Sequence, residues 1–294
     1  MGQCVCSQDQ VQFYSEVALK FPNGIKGITF YKTEWVSCDI NTWLQDRYKN
    51  APWTNWLVYN DQSKINNKRT KGHCKGIVAW TENRLSWLIH SVPNFPSVFT
   101  GSTISSIDTS ELVYGQSFQY VECQVTEEKI QAILHQLHIM EANIIMEHGN
   151  SSRTFKKCEP RIYTVVLHEN ITHIAKPPSF HNDIYQDYLI ESYPYHWFVE
   201  TWIRGDRYDT LSVHMSEVTS LAFLSDGITF NESQDHSKWA TTNNDYYWVG
   251  DLNRMTSQMN RGGGGFVCRN PIIARAFRSL IKSANSNIDL LNMI

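Results

Sequence analysis

The chain has no Cys-x-x-Cys pair, and its seven cysteines, at 4, 6, 38, 74, 123, 158 and 268, are odd in number. That excludes a zinc ribbon or a thioredoxin-type redox pair, and Cys4-Val5-Cys6 is too closely spaced for the usual structural zinc. No apolar run is long enough to cross a bilayer, so no spanning helix and no membrane partner are expected. Gly-Lys-Ser/Thr is absent, which excludes a P-loop nucleotide site despite the run Arg261-Gly262-Gly263-Gly264-Gly265. Linkers and low-complexity stretches are missing too, so a single domain over 1–294 is expected. Charge of one sign is also lacking. With 26 Lys and Arg against 29 Asp and Glu, the net charge is −3, so charge alone does not draw the chain to nucleic acid at neutral pH.

What is present is aromatic, globular and rich in histidine. Aromatics make up 13% of the chain, with 10 Trp, and the hydrophobic content of 41% suits a sizeable core. Protonating all 11 His would turn a near-neutral chain into a polycation in acid. Three sequons, at Asn150, Asn170 and Asn231, point to glycosylation and a secretory route, and hence to an oxidising compartment. No signal peptide precedes Gln3, and Cys6 stands where N-myristoylation wants Ser or Thr. Met1 is therefore read as a start methionine placed on a mature or truncated form, secreted or lysosomal.

Two His-x-Lys elements carry the chemistry: Gly72-His73-Cys74-Lys75-Gly76 and Asp235-His236-Ser237-Lys238-Trp239. In an extended segment, residues two apart face the same way. Each element is followed by an Asn-bearing polar turn, His90-Ser91-Val92-Pro93-Asn94 and Gly250-Asp251-Leu252-Asn253-Arg254. An imidazole can attack phosphorus or give up a proton, and lysine and asparagine can hold phosphate oxygens. The spacing is similar to that of the phospholipase D superfamily, with Asn243 at its Asp position and Asp251 at its Ser position.

Longer stretches resemble deoxyribonuclease II, the acid DNase family. They are the two His-x-Lys elements, Leu57-Val58-Tyr59-Asn60-Asp61-Gln62, Trp87 through Pro96, Tyr114-Gly115-Gln116-Ser117, Gly250-Asp251-x-Asn253-Arg254 and Arg261-Gly262-Gly263-Gly264. The resemblance runs in the family's order from near the N-terminus to about Ser283. It implies an α/β (mixed α+β) phospholipase D-like pseudo-dimer, with two mixed sheets flanked by helices and the active site at their seam. The halves would be about 1–150 and 151–294.

The implied activity is metal-independent endonucleolytic cleavage of double-stranded DNA at acid pH, through a phosphohistidine, leaving 3′-phosphates. No metal and no cofactor are called for. Carried over, His73, Lys75, His236 and Lys238 are catalytic, with His73 as nucleophile and His236 as acid by superfamily analogy. Ser91, Asn94, Asp251 and Asn253 would orient the phosphate or the imidazoles. A pH near or below the usual histidine value of about 6.5 would let one imidazole be neutral while the other is charged.

The resemblance also implies a disulfide from Cys123 to Cys6, or to Cys4 instead. Cys74 replaces a common Thr, and Trp248 and Ala240 replace common cysteines, so Cys268 is expected to lack its partner. This divergence keeps a second class open: a weakly active or inactive secreted homologue that binds DNA or another partner. A lipid-cleaving phosphodiesterase is a third. Whether the chain is a monomer or a homodimer is not decided by sequence.

Periodicity predicts strands at Val11–Lys20, Ile28–Trp35, Trp56–Tyr59, Ile162–Leu167, Val199–Ile203 and Tyr246–Val249. It predicts helices at Asp39–Lys49, Thr126–His148, Asn182–Glu191 and Val213–Leu224, and from Asn270-Pro271 to Ser283. Gly76–Trp80 and Leu85–His90 read as a hairpin, placing His73/Lys75 and His90/Asn94 at opposite ends of adjacent strands. Lys64–Lys71 reads as a basic loop and Gly262–Gly265 as a tight turn beside the site.

Overall fold

Eight strands of the N-terminal half pair into one sheet because apolar and β-branched residues recur on its inner face, as at Leu57, Val78, Trp87 and Val121. The computed structural model describes residues 13–51, 53–64, 70–150, 155, 158–208, 212–223 and 225–286. The first sheet contains β1 (Phe13–Lys20), β2 (Lys26–Tyr31), β3 (Glu34–Asp39), β4 (Asn55–Asn60), β5 (Lys75–Trp80), β6 (Arg84–His90), β7 (Gln116–Gln124) and β8 (Ile144–His148). Its order is β3-β2-β1-β7-β6-β5-β4-β8, antiparallel throughout. Helix α1 (Ile40–Tyr48) follows β3, and α2 (Glu127–Ile139) follows β7.

The second sheet contains β9 (Tyr163–His168), β10 (Ile171–Lys176), β11 (Trp197–Thr201), β12 (Met215–Phe223), β13 (Ile228–Asn231), β14 (Lys238–Thr242), β15 (Tyr246–Gly250) and β16 (Gly263–Arg269). Their order is β13-β12-β11-β14-β15-β16-β10-β9, and β17 (Ile281–Ser286) adds to β12. Only the β11–β12 pair is parallel. A π-helical turn at Tyr185–Leu189 runs into the short α3 (Ile190–Ser192), and α4 (Pro271–Arg278) follows β16. This is the expected mixed architecture of two large sheets with few helices. Both sheets share a five-strand order, β1-β7-β6-β5-β4 in one and β10-β16-β15-β14-β11 in the other.

One apolar cluster spans both sheets, joining Val78, Trp87 and Val121 to Trp239, Val249 and Phe266. Trp87 stacks on His173 at 4.1 Å and meets the edge of Phe266 at 5.2 Å. Trp35 meets Phe277 of α4 at 5.3 Å. Such aromatic pairs add to plain area burial, so the seam is firmly packed below the site.

Several elements differ from their sequence reading. Ile28–Trp35 is two strands, because Lys32 turns the chain at φ 55°. Helix α2 keeps its Thr126 cap but stops at Ile139; Glu141 takes φ 53°, and β8 peels off to pair with β4. Val213–Leu224 is not a helix: Met215–Phe223 is strand β12, held between β11, β13 and β17. Helix α4 ends at Arg278, and the chain continues as β17. Gly263–Gly265 is no turn but the start of β16, its backbone laddered to β10 and β15. The hairpin register, Gly76 opposite Ile89, brings Lys75 and His90 to the same end, not opposite ends.

No disulfide is formed among the described residues. Cys123 is a buried free thiol, while Cys4 and Cys6 lie outside the described residues. Cys268 is free as well, facing Tyr247 across the ladder, and Trp248 instead pairs with Val267. The side chains of all three sequon asparagines' residues are exposed. The basic loop lies largely outside the described residues, at 65–69. No described helix is long and apolar enough to cross a membrane.

Candidate active site

The register of β4 on β5 sets Asn60 opposite Lys75, and the next residue, Asp61, turns under the His73 loop. Asp61 is fully buried and gathers three cationic or proton-bearing partners. His73 Nδ1 lies 2.9 Å from Oδ2, Lys75 Nζ donates to Oδ1 at 2.7 Å, and Arg261 Nη2 donates to Oδ2 at 2.8 Å. An ionised carboxylate only accepts, so His73 Nδ1 carries the proton and Nε2 keeps its lone pair. Nε2 is buried and has no hydrogen-bond partner among the described residues.

The second half-site repeats this plan. Thr201 of β11 stands opposite Lys238, as Asn60 stands opposite Lys75. Lys238 Nζ donates to the His236 carbonyl at 2.6 Å, and His236 Nδ1 lies 3.3 Å from the Ser91 carbonyl. At the place matching Asp61, however, stands Trp202, edge-to-face on the His236 ring at 3.6 Å. Tyr114 stacks on the same ring at 5.8 Å.

The halves hold one another's histidines across the seam. His73 N–H donates to Gly262 O at 2.7 Å, and His236 N–H donates to Gly115 O at 2.8 Å. Likewise Lys75 N–H reaches Asp251 Oδ1 at 3.2 Å, and Lys238 N–H reaches Ser117 Oγ at 3.1 Å. The glycine is required here, since a Cβ at Gly262 would overlap the Met140 carbonyl. Gly262→Ala should therefore cost about 1–3 kcal/mol as an overpacking change, with an accompanying fall in activity. Urea unfolding checks this; an unchanged midpoint would show that the Met140 turn yields freely.

Burial dominates the electrostatics. It lowers His73 to about 3, aided by Lys75 and opposed by Asp61. His236 is driven well below the ordinary imidazole range by burial, then by Lys238, Lys75 and His73. Lys238 falls to about 7, through burial and then Lys75. Burial would raise Asp61, but Lys75, His73 and Arg261 together hold it well below the usual carboxylate range. Burial lifts Asp251 to about 8, so it is a neutral acid in mildly acidic water, and its Oδ2 has no partner among the described residues. Burial thus favours the neutral form of both imidazoles relative to the ordinary histidine value.

The structure brings His73, Lys75, His236, Lys238, Asp251 and Ser91 together around the seam. Ser91 Oγ donates to Gln116 Oε1 at 2.6 Å and receives Ser117 N–H at 3.0 Å, so its hydroxyl supports the strand ends. Asn94, at φ 56°, is turned toward Glu111 Oε1 at 2.7 Å and lines the cleft above His236. Asn253 carries a buried Oδ1 with no partner among the described residues. Its turn is tied down by Arg254, whose Nε donates to Asp183 at 2.7 Å and whose Nη1 pairs with Glu217. Asn243 does not join the site: it follows β14 at the far end of that strand, bonded to the His196 carbonyl.

Sequence reasoning assigned no role to Asp61, Arg261 or Trp202. The signal for the first two was present, since Asp61 and Arg261 fall in stretches that carry the resemblance. Among the described residues no group of three or more His, Cys, Asp or Glu is arranged to hold a metal ion.

Two sheets of like strand order thus each present a histidine and a lysine at the start of one strand, β5 in the first and β14 in the second. The family model for deoxyribonuclease II matches residues 36–287, and the chain belongs to that family. Mouse deoxyribonuclease-2-beta is 29% identical over 264 residues, covering 81% of this chain and 73% of the mouse protein. Cell-death-related nuclease 7 of Caenorhabditis elegans is 30% identical over 253 residues, 77% of this chain and 67% of its own. Pig deoxyribonuclease-2-alpha is 29% identical over 262 residues, 80% and 71% respectively.

Proposed function

We propose that this protein is a metal-independent endonuclease that hydrolyses phosphodiester bonds of double-stranded DNA and leaves 3′-phosphates. The observation that carries the reading is the asymmetric pair of histidines. His73 has its Nδ1 engaged by Asp61 and its Nε2 free, while His236 lines an open cleft. In this reading His73 Nε2 attacks phosphorus, the P–O5′ bond breaks, and His236 gives its proton to the departing oxygen. Water, deprotonated by His236, then breaks the P–N bond and frees the 3′-phosphate. Lys75 and Lys238 balance the phosphate charge, a role that a metal fills in other nucleases. Asp251, neutral in acid, has an O–H to offer a phosphate oxygen, and Asn253 lies on the same turn. The shared five-strand order supports a pseudo-dimer with halves near 1–150 and 151–294. The exposed Asn150, Asn170 and Asn231 support a glycosylated protein on a secreted or lysosomal route.

Plasmid DNA incubated in EDTA should be cut at acid pH, with activity fading above about pH 7 as Lys238 loses its proton. Fragments should accept label from polynucleotide kinase without phosphatase treatment, since their 5′ ends are hydroxyls. A strict need for Mg²⁺ or Zn²⁺ would sink the mechanism, and unlabelled fragments would mean that the other ester bond breaks. Activity absent at every pH would favour the reading of an inactive, binding homologue.

A second source of acid dependence lies in the histidines. Burial favours the neutral form of both imidazoles, so in this reading the acid's proton arrives with the anion, whose charge offsets Lys75 and Lys238. Folding is not the linked equilibrium here; binding is. A histidine whose value rises on binding makes affinity grow as pH falls below that raised value. Calorimetry of inorganic phosphate binding at pH 5, in buffers of differing ionisation heat, should show uptake of about one proton. Zero uptake would place the proton on the free enzyme instead.

A further inference from the structure

We propose that the cleft beside His236 is a nucleobase subsite, receiving the base of the nucleoside whose 5′ oxygen departs. The inference rests on the nuclease reading above and adds to it a direction along the DNA strand. The two half-sites match in register, so Asp61 and Trp202 hold corresponding places. On the His73 side that place is filled by a carboxylate tied to Lys75 and Arg261. On the His236 side it is an indole, and above it opens a cleft of about 560 Å³ lined by Trp202, Tyr114, Pro93, Asn94 and Gln62 among others.

The walls have the composition that stacks bases. Tyr114 and Trp202 lie 4.6 Å apart, and the Arg204 guanidinium covers them at 5.5 Å and 4.7 Å. Arg204 Nη2 also donates to the Tyr114 hydroxyl at 2.9 Å. Aromatic faces joined to arginine grip a base through its π-face, whatever its sequence. Two polar atoms of these walls are buried without a partner among the described residues, the donor Trp202 Nε1 and the acceptor Gln62 Oε1. A buried polar group left unpaired is costly, and the edge of a base offers both an acceptor and a donor. Since His236 protonates O5′, the nucleoside beside it is the leaving one.

The test uses the intact chain and short duplexes carrying one abasic residue beside a defined cleavage position. With the gap in the leaving nucleoside, kcat/KM at that bond should fall about tenfold or more, as expected for loss of one base stack. With the gap in the nucleoside that keeps the 3′-phosphate, it should change little. Trp202→Ala should erase this difference, and Trp202→Phe should keep most of it. Equal cutting of both abasic duplexes by the unaltered protein overturns the subsite, and a loss confined to the 3′-phosphate side overturns its assignment to the leaving nucleoside. No cleavage of the unmodified duplex at all overturns the nuclease reading, and the subsite with it.

Discussion

His236→Ala should abolish strand cleavage while leaving duplex binding largely intact. A positioned acid or base contributes roughly 10²–10⁴-fold, and His236 is proposed to serve as acid in one step and base in the next. The phosphate would still meet Lys75 and Lys238, both buried at the seam, so gel-shift affinity should hold within a fewfold. His73→Ala should be as inactive for a different reason, having lost the attacking nitrogen. The two defects separate with a 5′-bridging phosphorothiolate, whose thiolate leaves without a proton. It should restore the first step to His236→Ala and do nothing for His73→Ala. Near-normal cleavage of ordinary DNA by His236→Ala would end the mechanism.

Removing Asp61 should do more damage to stability than to any single contact. Asp61→Ala strands Lys75 and Arg261 in a buried setting, and breaking a buried pair from one side costs about 3–5 kcal/mol. Thermal melting should show the loss, and residual activity should fall with the freed His73 ring. The sign of the pH effect follows from the depressed carboxyl. Its stabilisation is complete above the unfolded aspartate value, near 3.9, and disappears only as pH falls through the lower folded value. The acid range in which the enzyme is proposed to act therefore leaves the cluster intact. A melting point that does not move in Asp61→Ala would show that the cations rearrange to water at little cost.

What sequence conveyed about the site was its residues more than its wiring. The paired His-x-Lys elements announced four side chains that the fold does bring to one seam. Asp61 was harder to assign: it lies beyond the end of β4, and only strand pairing carries it to His73. Trp202 is legible only from the register of the second sheet, since tryptophan in a loop has no chemical signature of a half-site. Asn243 shows the converse error, in which spacing suggested a site position that the length of β14 moves away. In the fold, helix α1 was readable because Ile40, Trp43, Leu44 and Tyr48 fall on one face. Strand β12 was not, because Val218 and Leu221 also fit a helical repeat, and the deciding partners, β11, β13 and β17, are distant in sequence.

The crossed backbone bonds at the seam have a consequence for how the protein could have changed over time. His73 hangs from a carbonyl of the C-terminal half and His236 from one of the N-terminal half. Neither half owns the full support of its own histidine. Substitutions around Gly115 therefore act on His236, and those around Gly262 act on His73. Divergence between the halves is constrained at these turns even though neither turn has to touch DNA. The loop sides at Asp61 and Trp202 stand outside that exchange, and there the halves differ chemically.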